Sequence, residues 1–140
     1  MGRAVLNPVL MDTHVLVWLL EGDDNLGKQA RQLIETAARE DALLVSAITF
    51  WEVSMLARRG RLALAESVVL WRQKVMELGV VEIPVSGDIG ILATEFEDFP
   101  PDPADRMITA TAAVQGATLI TADTAILRWR NPLGRQDARN

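Results

Sequence analysis

The 140-residue chain contains no cysteine, which excludes a disulfide framework, a thiolate metal site and a cysteine nucleophile. Histidine occurs once, at His14, and lysine only at Lys28 and Lys74. No segment reaches the ~18 uninterrupted apolar residues that a membrane helix needs. The opening, MGRAVLNPVLM, has no apolar run leading to a small-residue cleavage site, so nothing marks a secretion signal. A cytoplasmic protein without a membrane partner is the expectation. Positive charge is also scarce: 14 Lys and Arg face 19 Asp and Glu, a net charge of −5 and a pI of about 4.8. A sequence-tolerant nucleic-acid binder normally carries a basic footprint. Any nucleic-acid partner therefore needs a local explanation of sign, such as carboxylates holding a divalent cation that faces the phosphates. Short basic stretches do occur, at Arg58, Arg59 and Arg61 and at Arg128, Arg130, Arg135 and Arg139.

Hydrophobic residues make up 49% and charged residues 24%, a balance that supports a packed core and a hydrated surface. There is no internal repeat, low-complexity tract or long linker. One domain over 1–140 is expected, with its core at about 8–130 and a polar tail at about 131–140.

Short apolar runs alternate with helical patterns. NPVLMD, ALLVS, VVEIPV and ATLITAD read as strands. HVLVWLL, LGKQARQLIETAARE, ITFWEVSMLARRG, LALAESVVLWRQKVMELG, GDIGILATEF and PADRMITATAAVQG read as helices, several stopping at a glycine. Strands separated by helices pair in parallel through right-handed crossovers. The expected fold class is α/β: a three-layer α/β/α sandwich around a mainly parallel sheet of four to five strands. Ligands of such sheets bind beyond the carboxyl ends of the strands.

Four carboxylates stand out against this pattern. Asp12 closes an apolar strand and reads either as the cap of the next helix or as a site residue. Glu52 falls on an apolar stripe formed by Ile48, Trp51, Met55 and Leu56, where an unpaired charge is costly. It reads as a ligand or as a side chain reaching to solvent. Asp102, Pro103 and Asp105 form a well-made helix start. Capping accounts for Asp102 better than for Asp105, which shares a face with Ile108 and Ala112. Asp123 ends a strand and caps or ligates equally well. Oxygen donors without cysteine and with one histidine suit Mg²⁺ or Mn²⁺ better than Zn²⁺.

At these residues the chain resembles the PIN-domain ribonucleases, and most closely the VapC-type toxins of prokaryotic toxin–antitoxin pairs. LMDTHVLVWLL resembles the family's opening block, SAITFWEVSML its second, DPADRMITATA its third and LITADTAIL its fourth, in that order from about Val9 to Leu127. The resemblance implies a PIN-like domain and a Mg²⁺- or Mn²⁺-dependent endoribonuclease. Asp12, Glu52, Asp105 and Asp123 would be both metal ligands and catalytic carboxylates. It implies an RNA substrate, a small antitoxin partner and a homodimer. Thr13, Ser46, Thr121 and Asp102 are candidates for supporting these carboxylates or a water, with ordinary capping the alternative. Many relatives end in a further apolar strand, whereas RWRNPLGRQDARN is polar, so a short or absent edge strand is expected here.

His14 reads as a first-turn residue without chemistry. Trp18, Trp51 and Trp71 read as core or dimer surface. Trp129 reads either as an RNA-contacting aromatic between two arginines or as a buried anchor. Arg106 reads as a solvated helix residue, or as one that steadies a carboxylate or meets a phosphate. A dehalogenase-type phosphotransferase needs a second Asp two residues after Asp12, where His14 stands. A receiver-type signalling domain needs a late lysine, which is missing. The stronger rival is a catalytically silent PIN-like module that binds RNA or protein, and the presence of all four acidic residues argues against it.

Overall fold

Val9, Leu10 and Met11 alternate between two hydrophobic layers, and this alternation sets the architecture. In the computed structural model, which describes residues 7–140, these three residues form strand β1 (Val9–Met11). Residues 1–6, part of the expected domain, lie outside the described residues. The chain continues through α1 (Thr13–Glu21), α2 (Lys28–Arg39), β2 (Leu43–Ser46), α3 (Ile48–Arg58), α4 (Val68–Glu77) and β3 (Val81–Ile83). It ends with α5 (Gly87–Glu95), α6 (Pro103–Gln115), β4 (Thr118–Thr121), α7 (Thr124–Arg128) and β5 (Arg135–Asp137).

The five strands form one sheet in the order β3-β2-β1-β4-β5, and every pairing is parallel. Val9, Met11, Leu43, Val45 and Ile120 point into one layer with Val15, Leu16, Ile34, Val53, Trp71 and Val75. Leu10, Leu44 and Leu119 point into the other with Ile108, Ala112, Ile126 and Trp129. Helices α1 to α4 therefore cover one face of the sheet and α5 to α7 the other, as the period of two along a strand requires. The chain moves from β1 outward through β2 and β3, then returns to build β4 and β5 on the opposite side. The point where the strand order reverses lies between β1 and β4, where a crevice opens beyond the strand ends. No helix among the described residues is long and apolar enough to cross a membrane.

Several local expectations change. The helix expected over LALAESVVLWRQKVMELG begins only at Val68, because the Ser67 side chain caps it by accepting from the Leu70 amide. Leu62 and Leu64 still pack on the core, from an irregular segment. Helix α3 turns Thr49 and Val53 inward. Trp51, expected on the buried stripe, is 54% exposed. The rotation fits the Thr49 hydroxyl, which lies 3.0 Å from that of Thr13 on α1. The polar tail does form an edge strand, β5, of three residues. Trp129 is a buried anchor: it packs edge-on against Phe96 and Phe99, and its indole N–H donates to the Glu97 carbonyl.

Arg106 is neither solvated nor turned to a carboxylate. Its guanidinium donates to the carbonyls of Ala93, Phe96, Phe99 and Pro100 and sits over the Phe99 ring. It fixes the loop that leads into α6. Arg106→Lys supplies no planar fork for four carbonyls. It is expected to cost about 2–4 kcal/mol, read as a lower denaturation midpoint with an unchanged denaturant slope.

Candidate functional site

Strand β1 delivers Asp12 to the crevice. The carboxylate is 8% exposed. Its Oδ1 accepts from the Thr13 amide at 2.8 Å, which caps α1, and its Oδ2 accepts from the Thr121 hydroxyl at 2.7 Å. The same Thr121 oxygen accepts from the Asp123 amide at 3.1 Å. Thr121, fully buried at the end of β4, thus joins two carboxylate-bearing strand ends across the β1–β4 pair. Asp123 caps α7 through Oδ1, which accepts from the amides of Ala125 and Ile126.

Two helices bring the other carboxylates. Glu52 lies in α3, one residue before the buried Val53, and is half-buried at the rim of the crevice. Asp102 caps α6 by accepting from the Asp105 amide at 3.0 Å, and Pro103 opens that helix. Asp105, in the first turn, lies three residues before the buried Ile108. One carboxylate oxygen each from Glu52, Asp102 and Asp105 lie within 4.8 Å of one another. All five carboxylates line one cleft of about 390 Å³, together with His14, Trp18, Ala122 and Arg139.

The structure thus brings Asp12, Glu52, Asp105 and Asp123 to a common cleft and adds Asp102 to the rim itself. Thr121 holds Asp12 directly, and Thr13 lies near enough to Glu52 to favour its ionised form. Ser46 is not brought to the cluster: its hydroxyl oxygen accepts from the Ile48 amide and starts α3. Arg139 had no sequence signal beyond its charge, because only the path of the tail along β4 carries it to the cleft. His14 is exposed at the rim.

Crowding of like charge is visible in the acidities. Burial raises Asp12 above the usual carboxylate range, against the hydrogen bonds from Thr121 and the Thr13 amide. Burial also raises Glu52, helped by the nearby charges of Asp12 and Asp102 and opposed by Thr13. Asp105 is pushed up to about 7, first by burial and then by Asp12, Asp102, Asp123 and Glu52. This happens although a helix N-terminus favours the ionised form. A hard divalent cation would relieve that repulsion, and these oxygen donors at this spacing fit one.

A family model described as PIN domain matches residues 9–131. Ribonuclease VapC22 of Mycobacterium tuberculosis is 36% identical over 128 residues, which cover 91% of this chain and 95% of that protein. Among solved structures, the DNA-bound VapBC of Salmonella typhimurium gives a TM-score of 0.69 at 16% identity, covering 94% of this chain and 98% of that one. VapBC2 of Rickettsia felis, bound to a DNA fragment from its promoter, gives 0.66 at 18% identity, covering 91% and 96%. At these identities the solved structures are relatives in fold.

Two outcomes follow from the cleft. Thr121→Val removes the donor to Asp12 and the acceptor of the Asp123 amide. It is expected to weaken Mn²⁺ binding by about 10–100-fold while circular dichroism stays native, as isothermal titration would read. Folded Asp105 keeps its proton to about pH 7, against an ordinary value of 3.8. Its favourable contribution is therefore complete below the ordinary value and is lost as pH rises through 7. In EDTA, Asp105→Asn is expected to flatten the fall in Tm between pH 5 and pH 8. An unchanged profile would show that Asp105 ionises normally.

Proposed function

This chain belongs to the PIN-domain family, among its VapC-type ribonucleases, and on that premise we propose that it is a divalent-metal-dependent endoribonuclease, the toxin of a type II toxin–antitoxin pair. The observation that carries this reading is the meeting of Asp12, Glu52, Asp105 and Asp123, from four separate elements, in one cleft.

The donor set favours Mg²⁺ or Mn²⁺. Glu52 and Asp105, with Asp102 beside them, would hold the ion, and Asp12 and Asp123 would complete its surroundings. When bound, such an ion lowers the pKa of a water and stabilises charge on a phosphodiester under in-line attack. The chain's own part is orientation. Thr121 and the Thr13 amide hold the two oxygens of Asp12 in place. The α7 amides hold one oxygen of Asp123, leaving the other for the cleft. Thr13 steadies Glu52. Preorganised carboxylates need little rearrangement when charge develops.

The substrate in this reading is RNA, and a small antitoxin restrains the enzyme. A homodimer is the expected assembly. Trp51, Val69, Leu70 and Ile91 are exposed apolar side chains of the kind that protein partners cover.

The test is incubation of total cellular RNA with purified protein freed of any bound antitoxin. Discrete fragments are expected with Mg²⁺ or Mn²⁺ and none with EDTA. Asp105→Asn should lower the rate by more than about 100-fold, beyond the usual effect of an outer-shell change. A folded wild-type protein that neither cleaves RNA nor binds Mn²⁺ would overturn the reading.

A further inference from the structure

Among the described residues, Arg139 is the only arginine or lysine lining the acidic cleft. Its main chain is held on both sides. The Ala138 amide donates to the Thr121 carbonyl at 2.9 Å, and the Gly27 amide donates to the Ala138 carbonyl at 2.8 Å. The Asn140 main-chain oxygen accepts from the amides of Gln29 and Ala30 at the start of α2. Gly27 has no side chain to spare here, because a methyl group would overlap the Asn140 main chain. The tail is thus clamped between β4 and α2, and Arg139 is placed by that clamp.

Its guanidinium is aimed differently from those of its neighbours. Arg106 and Arg135 each spend the guanidinium on four backbone carbonyls. Arg139 donates from Nη1 to one, that of Ala122, at 2.8 Å. That carbonyl lies between Thr121, which holds Asp12, and Asp123. The nearest carboxylate partner of Arg139 is Asp137 at 3.9 Å, outside the acidic cluster, and its side chain is half exposed. Among the described residues, Nε and Nη2 meet no acceptor. A cation beside five carboxylates that is paired with none of them leaves those carboxylates available, and keeps donors of its own for an anion.

We propose that Arg139 is an RNA-phosphate contact at the rim of the cleft, which docks a single-stranded backbone against the carboxylate cluster. The proposal rests on the ribonuclease reading and adds to it a substrate-positioning residue. It also places one positive charge at the rim of a site of net negative charge. A guanidinium offers a phosphate two parallel hydrogen bonds, and its anchor on Ala122 fixes the spacing from the phosphate to Asp12 and Asp123.

The test compares wild type, Arg139→Ala and Arg139→Lys. Binding of a fluorescent pool of single-stranded oligoribonucleotides is measured with Ca²⁺ in place of Mg²⁺, across a salt series. Mn²⁺ affinity is measured in parallel, and cleavage of total RNA with Mg²⁺. Arg139→Ala is expected to bind RNA about tenfold more weakly, with a salt slope shallower by about 0.7, the value for one phosphate contact on a single strand. Its Mn²⁺ affinity should equal or exceed that of wild type. Arg139→Lys should keep the slope. If Arg139→Ala binds RNA with wild-type affinity and slope while wild type cleaves, the assignment fails and the ribonuclease reading stands. If Arg139→Ala loses Mn²⁺ binding together with RNA binding, the residue is structural and the assignment fails. If wild type neither binds nor cleaves RNA, the ribonuclease reading itself fails and takes the assignment with it.

Discussion

The hydrogen bond from Thr121 to Asp12 is the constraint on which the cleft depends. It joins residues far apart in sequence, and it forms only if β1 and β4 lie side by side in register, with Met11 opposite Ile120. The strand order makes this possible. With β2 and β3 on one side of β1 and β4 and β5 on the other, the connections leaving β1 and β4 diverge and leave room for a carboxylate. A buried carboxylate without partners would be driven to protonate. Thr121 and the Thr13 amide offset part of that cost, and both are supplied by the strand ends that create the crevice.

The rest of the site works against the fold. Five carboxylates share one cleft, and each of the three with a shifted acidity is pushed toward its neutral form. Local rules hold through most of the rest: caps at Ser67 and Ser86, left-handed glycines after α1 and α6, and clean two-sided alternation in the inner strands. Asp41 and Asp98, left-handed without being glycine, are single departures outside the cleft, whereas like charges gathered in one cleft are what a functional site looks like in physical terms. The scaffold that holds them is built from short inner strands buried on both faces and from the arginine-stapled loop ahead of α6.

Much of this was legible because the signals were local. An Asp ending an apolar run, and Asp105 three residues before the buried Ile108, announce themselves in a few residues. Strands β1 to β4 are short, largely apolar stretches, each followed by a helix. What failed required knowledge of neighbours. The apolar count on α3 favoured Trp51, but Thr49 and Val53 face inward because the space against α1 and the sheet suits small side chains and a hydroxyl pair. Glu52 reaches the cleft all the same, through a different rotation from the one its pattern implied. Arg106 looked like any helix-surface arginine, since nothing in the sequence shows that four carbonyls converge on it. Ser46 is a strand-end hydroxyl like Thr121, and of its two readings the structure shows the capping one, its oxygen going to the start of α3. The reach of Arg139 depends on β5, whose polar sequence gives almost no strand signal.

The order of strands across the sheet also fixes an order in time. During synthesis β1, β2 and α3 emerge early, so Asp12 and Glu52 are present long before the segments carrying Asp102, Asp105 and Asp123. Thr121, which holds Asp12, comes later than any of these but Asp123. A growing chain that has reached only β3 has neither the second wall of the crevice nor most of its carboxylates. Pairing of β1 with β4 spans most of the chain, the kind of contact that forms late and slowly. The cleft is therefore absent until β4 has paired with β1, because its second wall and most of its carboxylates come from the later segments.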